Sequence, residues 1–136
     1  MKKVCLPLFL TFLLIGCQSA TVTGETVSMA NGSFQNITPA ELHTMLKSKE
    51  FVLFINVHIP FAGNIPNTDL SIPYNELEQN LSQLPADKNE KVVLYCSSGR
   101  MSEIAAEELT SLGYTNVWNL KGGMVEWQQA GFEMEQ

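Results

Sequence analysis

Positive charge is scarce in this sequence. It carries 8 Lys and Arg against 14 Asp and Glu, a formal net charge of −6, with no basic cluster. Nucleic-acid binding needs concentrated positive charge to displace counterions from phosphates, so that class is excluded. Cysteine is scarce too: three in 136 residues are too few for a disulfide scaffold. The two histidines, His43 and His58, stand far apart and show no metal-ligand spacing with a cysteine, so neither a metal nor a cofactor is expected. No internal repeat and no apolar run of bilayer length occur. What is present, 45% hydrophobic and 16% charged residues, is the composition of one ordinary globular domain.

The chain divides into three stretches. Residues 1–16 open with Lys2 and Lys3, continue with the apolar run Val4–Ile15 and end at Gly16. That run suits the apolar core of a signal peptide and is too short to cross a membrane. Leu14-Ile15-Gly16-Cys17 resembles the lipobox of bacterial lipoproteins, with Ile15 bulkier than the usual small residue. The resemblance implies cleavage before Cys17 and acylation of its sulfur and new amine, an anchor of several chains and therefore stable. Gln18, rather than Asp, follows the anchor and implies the outer membrane of a bacterial envelope, with the domain facing the periplasm. Cys5 is discarded with the signal. Residues 17–34, rich in Ser, Thr, Gly, Ala and Asn, read as a flexible tether, leaving 35–136 as the folded domain.

Within that domain, Thr38-Pro39-Ala40-Glu41 is a helix start, with Thr38 as cap and Glu41 closing a capping box. Leu42, Met45 and Leu46 form the buried face. Phe51–Val57 and Lys91–Tyr95 read as buried strands, Leu70–Tyr74 and Asn116–Leu120 as shorter ones. Asn75–Leu84 reads as an amphipathic helix carried by Leu77, Leu81 and Leu84. Ser102–Leu112 reads as a helix stopped by Gly113, and Met124–Ala130 as a last one stopped by Gly131. Trp118, Met124, Trp127 and Phe132 read as core packing, and His43 as a solvated helix residue. Alternating strands and helices define an α/β fold with a mostly parallel sheet.

Sites in such folds form at the carboxyl ends of strands. There the sequence runs Tyr95-Cys96-Ser97-Ser98-Gly99-Arg100-Met101-Ser102 and continues into a helix. A cysteine ending a buried strand is by itself more often inert packing. Here small residues follow it, their amides free to curl around an anion, and a helix start adds partial positive charge. Both lower a thiol's pKa. Arg100 adds a full charge if it points inward.

These residues, with their neighbours, resemble a single-domain rhodanese over about Ile37–Phe132. The strand Phe51–Val57, the loop Gly63-Asn64-Ile65-Pro66, Ile72-Pro73, the Cys96 loop, Gly113–Val117 and Leu120-Lys121-Gly122-Gly123-Met124 with Trp127 and Gly131 occur in the family's order. The resemblance implies a rhodanese-like fold with a central, mostly parallel five-stranded sheet. It also implies sulfurtransferase activity. Cys96 takes the sulfane sulfur of a donor such as thiosulfate or a persulfide and holds it as a persulfide. Amides of Ser97, Ser98, Gly99, Arg100, Met101 and Ser102 bind it, and a thiophilic acceptor, cyanide or a thiol on a small molecule or a protein, removes it. Departures are visible. Ser97 and Met101 stand where many of these loops are basic, and Asn56 and His58 replace an Asp and an Arg. His58 is read as structural, with proton donation near the cleft as the other role. Related cysteine phosphatases need an Arg six residues after the Cys, where this chain has Ser102. The other alternative is a non-catalytic rhodanese-like module for binding or sulfur sensing.

Overall fold

The computed structural model describes residues 16, 21–48 and 53–135. Cys17 and nearly all of the expected signal segment lie outside the described residues, as do Phe51 and Val52. The order of elements is β1 (Glu25–Met29), β2 (Gly32–Ile37), α1 (Pro39–Lys47), β3 (Leu53–Asn56), β4 (Leu70–Ser71), a 3₁₀ helix (Glu78–Gln83), β5 (Val92–Tyr95), α2 (Arg100–Ser111), β6 (Val117–Leu120) and α3 (Gly123–Gln129). The strands form one sheet in the order β1-β2-β6-β5-β3-β4. Every pairing is parallel except that of β1 with β2.

The sheet has six strands, not five. The difference lies in the stretch expected to be tether. Residues 25–34 fold as a hairpin around Ala30-Asn31, with Met29 opposite Gly32, and β2 then joins β6 in parallel. Phe34 explains the attachment: it is 1% exposed, in the core beside Leu109 and Val117. Burying a side chain of that size contributes about 1.5–3 kcal/mol. β1 is a short edge strand, Glu-Thr-Val-Ser-Met, whose Val27 and Met29 pack against the core between polar residues, so a composition count hides its strand character.

Residue alternation along the central strands supplies two cores. Ile55, Val57, Leu94 and Cys96 face α2, meeting Ala105, Ala106 and Leu109. Phe54, Val93 and Tyr95 face α1 and α3, meeting Leu42, Met45, Met124 and Trp127. The capping box at Thr38 forms: its Oγ1 accepts from the Glu41 amide, while the Glu41 carboxylate accepts from the Thr38 amide. Asn75–Leu84 is corrected in type. Leu77 and Leu84 are buried as anticipated, but the segment is 3₁₀ and non-helical at Asn80, whose side-chain Nδ2 donates back to the Glu76 carbonyl. His43 is corrected as well: it is half-buried and its ring stacks on Phe132 at 4.5 Å.

Because β3, β5 and β6 run parallel with Asn56 beside Tyr95 and Leu94 beside Asn119, the segments leaving their carboxyl ends converge on one edge of the sheet. That edge holds Cys96.

Candidate functional site: a thiol held by a loop and two helix starts

All four residues of β5 are buried, and Cys96, the next residue, is 1% exposed. Among the described residues it is the free cysteine. The chain then reverses in three residues. Gly99 takes φ 95°, in the left-handed region, and α2 begins at Arg100, two residues earlier than its apolar pattern indicates. This reversal brings the Gly99 N–H to 3.1 Å from Cys96 Sγ. The hydroxyl of Ser102, wholly buried in the first turn of α2, lies 3.5 Å from the same sulfur and 3.2 Å from the Gly99 carbonyl. The sulfur therefore meets a backbone donor and a hydroxyl donor at the start of a helix.

The loop's carbonyls face elsewhere. The Cys96 carbonyl accepts from the Met124 amide at 2.9 Å and the Ser97 carbonyl from the Val125 amide at 3.0 Å. These donors are the opening amides of α3, which lack partners within their own helix. The approach is close because Gly123 has no side chain. A Cβ there would sit 2.2 Å from the Cys96 carbonyl oxygen and 2.7 Å from that of Ser97. A Cβ on Gly99 would meet the Gly122 amide nitrogen at 2.9 Å. Sequence reasoning found the pair Gly122-Gly123 as a motif but gave it no task. Two successive glycines directly before a helix were the available signal for a close backbone approach.

The loop after β3 is fixed by neutral groups. Asn56 is buried; its Nδ2 donates to the Gly63 carbonyl and to Asn64 Oδ1, both at 3.0 Å, and its Oδ1 accepts from the His58 amide. The Tyr95 hydroxyl accepts from the Ile65 amide at 3.0 Å and lies 2.6 Å from Thr68 Oγ1. Burial pushes the Tyr95 pKa above its ordinary value, outweighing the hydrogen bonds from Thr68 and Ile65 that lower it. His58 Nδ1 is buried without a hydrogen-bond partner, and no hydrogen bond joins its ring to Cys96.

The predicted site residues thus separate. Cys96, Gly99 and Ser102 come together through the sulfur. Ser97 and Ser98 form the rest of the loop, Ser98 exposed. Met101 packs against the α2-side core. Arg100 is exposed and turns to a cavity that Cys96 does not line.

A parallel α/β sheet that ends in a thiol cradled by a glycine-bearing loop and a helix start defines a class of thiol-based α/β domains. The Rhodanese-like domain family matches residues 38–130, and this chain belongs to that family. It is 34% identical over 98 residues to a protein of Allochromatium vinosum named as a sulfurtransferase, an alignment covering 70% of this chain and 89% of that protein. It is also 34% identical over 106 residues to an uncharacterized protein of Synechocystis sp., covering 76% of this chain but 58% of that one. A rhodanese-like domain protein from Staphylococcus aureus superposes with a TM-score of 0.61 at 31% identity, covering 74% of this chain and 98% of that structure. Family and named relatives together support a place in a sulfurtransferase family.

Proposed function

We propose that the protein moves a sulfane sulfur through a persulfide on Cys96. The thiolate attacks the outer sulfur of a donor such as thiosulfate. The donor's S–S bond breaks, sulfite leaves with the bonding pair, and Cys96 keeps the sulfur as a persulfide anion. A nucleophilic acceptor, cyanide or a thiolate, then attacks the terminal sulfur and restores the Cys96 thiolate. One observation carries this reading. The Gly99 amide and the Ser102 hydroxyl converge on Cys96 Sγ, while the Cys96 and Ser97 carbonyls are tied to the amides of α3. Preorganised donors of this kind stabilise a negative sulfur without reorganising.

The test is the intact mass of the protein after exposure to thiosulfate and desalting, beside Cys96→Ser. A gain of one sulfur atom, reversed by cyanide and absent in the variant, is expected. No gain with thiosulfate, polysulfide or a persulfide donor leaves the sulfur-sensing or binding module as the better account.

We also propose that Cys17 carries a lipid anchor after removal of residues 1–16, placing the domain on the periplasmic side of a bacterial outer membrane. The support is Leu14-Ile15-Gly16-Cys17 behind a basic and apolar leader, with Gln18 after it. Labelled palmitate is expected to enter the protein and to be lost in Cys17→Ser; equal labelling of both rejects the anchor.

A further inference from the structure

Arg100 follows the active loop yet serves no visible purpose in it. It makes no ion pair or hydrogen bond among the described residues, and its side chain lines a cavity of about 400 Å³ that Cys96 does not line. The cavity's other walls are Asn36 from β2, Ser98 from the loop, Glu103 from α2, Asn119 from β6 and Lys121 just beyond it. Three separate segments of chain therefore bring two cations, one carboxylate and two amides to a single place.

Asn119 supplies an independent sign of a ligand. It is 2% exposed, and its Nδ2 donates to Asn36 Oδ1 at 2.9 Å, but its Oδ1 has no partner. A buried acceptor left unsatisfied is costly and asks for a donor. Lys121 is weakly engaged, 3.4 Å from Glu25 in a pair exposed on both sides, and is free to shift to a better partner.

We propose that this cavity binds the zwitterionic head group of an α-amino acid. The carboxylate pairs with Arg100 and Lys121, where a guanidinium offers two parallel hydrogen bonds. The ammonium faces the Glu103 carboxylate and, with a small turn of the Asn119 side chain, donates to its Oδ1. A simple anion satisfies the cations but brings no donor to Asn119 and meets the Glu103 charge. A simple cation meets Arg100 and Lys121. A ligand with both charges on one carbon answers the whole lining. The site shares Gly99 and Ser98 with the active loop but needs nothing from Cys96, so it stands apart from the sulfur-transfer reading.

Calorimetric titration of the full chain with S-methyl-L-cysteine tests the proposal, because the blocked sulfur cannot exchange with Cys96. Saturable binding is expected, at least about tenfold tighter than that of 3-(methylthio)propionate, which lacks the ammonium, or of the methyl ester, which lacks the carboxylate. Arg100→Ala, Lys121→Ala and Glu103→Gln, all at exposed positions, are each expected to weaken it severalfold with an unchanged melting temperature. Cys96→Ser, which removes sulfur chemistry, is expected to bind as the parent does. Absence of saturable binding, equal binding of the propionate, or full affinity in both Arg100→Ala and Lys121→Ala overturns the proposal.

Discussion

Helices α2 and α3 start alike and end up doing opposite things. Each follows a glycine in the left-handed region, Gly99 at φ 95° and Gly122 at φ 77°, and neither start has a side-chain cap. Both therefore present opening amides that need an acceptor. In α3 the acceptors are the protein's own carbonyls, those of Cys96 and Ser97. At α2 the preceding Gly99 amide and the first-turn Ser102 hydroxyl reach a sulfur atom. One start is consumed so that the other can be offered to chemistry. With its carbonyls pulled towards α3, the Cys96 loop has donors left to turn on the thiol.

The strongest way to break this arrangement is at Gly123. A Cβ there would collide with two carbonyl oxygens, at 2.2 and 2.7 Å, and the backbone has φ 56°. Gly123→Ala must push α3 off the loop or open the loop itself. A loss of about 3 kcal/mol in stability is expected, with sulfur loading of Cys96 falling at least about a hundredfold. Gly131→Ala is the control. It also has positive φ, 89°, but open space around its Cβ, so only conformational strain of about 1–2 kcal/mol is expected, with normal loading. Thermal melts and persulfide mass measured on both variants separate collision from strain. Equal effects at the two glycines contradict the buttress role of α3.

Gly99→Ala attacks the other helix start. It combines the same strain with a Cβ 2.9 Å from the Gly122 nitrogen. A stability loss of about 2 kcal/mol is expected, together with roughly tenfold slower loading as the amide on Sγ moves. Loading that survives intact means that the Gly99 amide is dispensable.

Tyr95→Phe probes a neighbour that belongs to neither helix start. Removing the hydroxyl leaves the Ile65 amide without its acceptor and Thr68 without that partner, at a cost of about 1–2 kcal/mol. The pH dependence carries a second signature. The folded protein holds the Tyr95 pKa above 10.0, so its neutral hydroxyl contributes stability that is complete below the unfolded value and is lost as pH climbs through the raised one. Urea midpoints measured from neutral pH to above pH 10 are expected to fall less in Tyr95→Phe than in the parent. The fall that remains in the variant includes Tyr114, whose pKa burial also raises. Identical alkaline slopes dissociate Tyr95 from this loss.

Much of this site is legible in the chain, and the reasons are local. Thr38 and Glu41 announce α1 because a capping box is closed by residues three apart. The strand, the small loop residues and the helix around Cys96 are equally contiguous. What was not legible depends on distant partners. β1 reads as tether because it sits in a stretch rich in Ser, Thr, Gly, Ala and Asn; it becomes a strand through pairing with β2, which Phe34 fastens to the core. Arg100 reads as a charge for the thiol because it is four residues from it. Its actual direction is set by the αL turn at Gly99 and by the cavity that β2 and β6 build beside it. Asn56 and His58 show the same limit. The resemblance indicates that an Asp and an Arg are replaced there, whereas the substitute, Asn56 bonded to Gly63 and Asn64, requires the returning loop.

Ser102 sharpens the comparison most finely, because it is the one side chain among the donors on the sulfur. Its hydroxyl carries a single proton and has two acceptors in reach, the Gly99 carbonyl at 3.2 Å and Cys96 Sγ at 3.5 Å. With a neutral thiol the nearer carbonyl competes well. With a thiolate or a persulfide anion the charged acceptor gains, since hydrogen bonds to ions are about twice as strong as neutral ones. On the proposed persulfide mechanism, the proton turns towards the sulfur as charge develops there, and Ser102 contributes more to the loaded state than to the resting one. Ser102→Ala is expected to cost little in the melting temperature of the unloaded protein. It is expected to slow sulfur loading by about three- to tenfold, the equivalent of one hydrogen bond of about 1 kcal/mol. Ser102→Thr, which keeps the hydroxyl but adds a methyl to a fully buried position, is expected to lose stability more than loading. Stopped-flow loading beside thermal melts distinguishes the two. If Ser102→Ala lowers the melting temperature while loading stays at the parent rate, the hydroxyl merely caps Gly99, and the donors on the sulfur reduce to backbone.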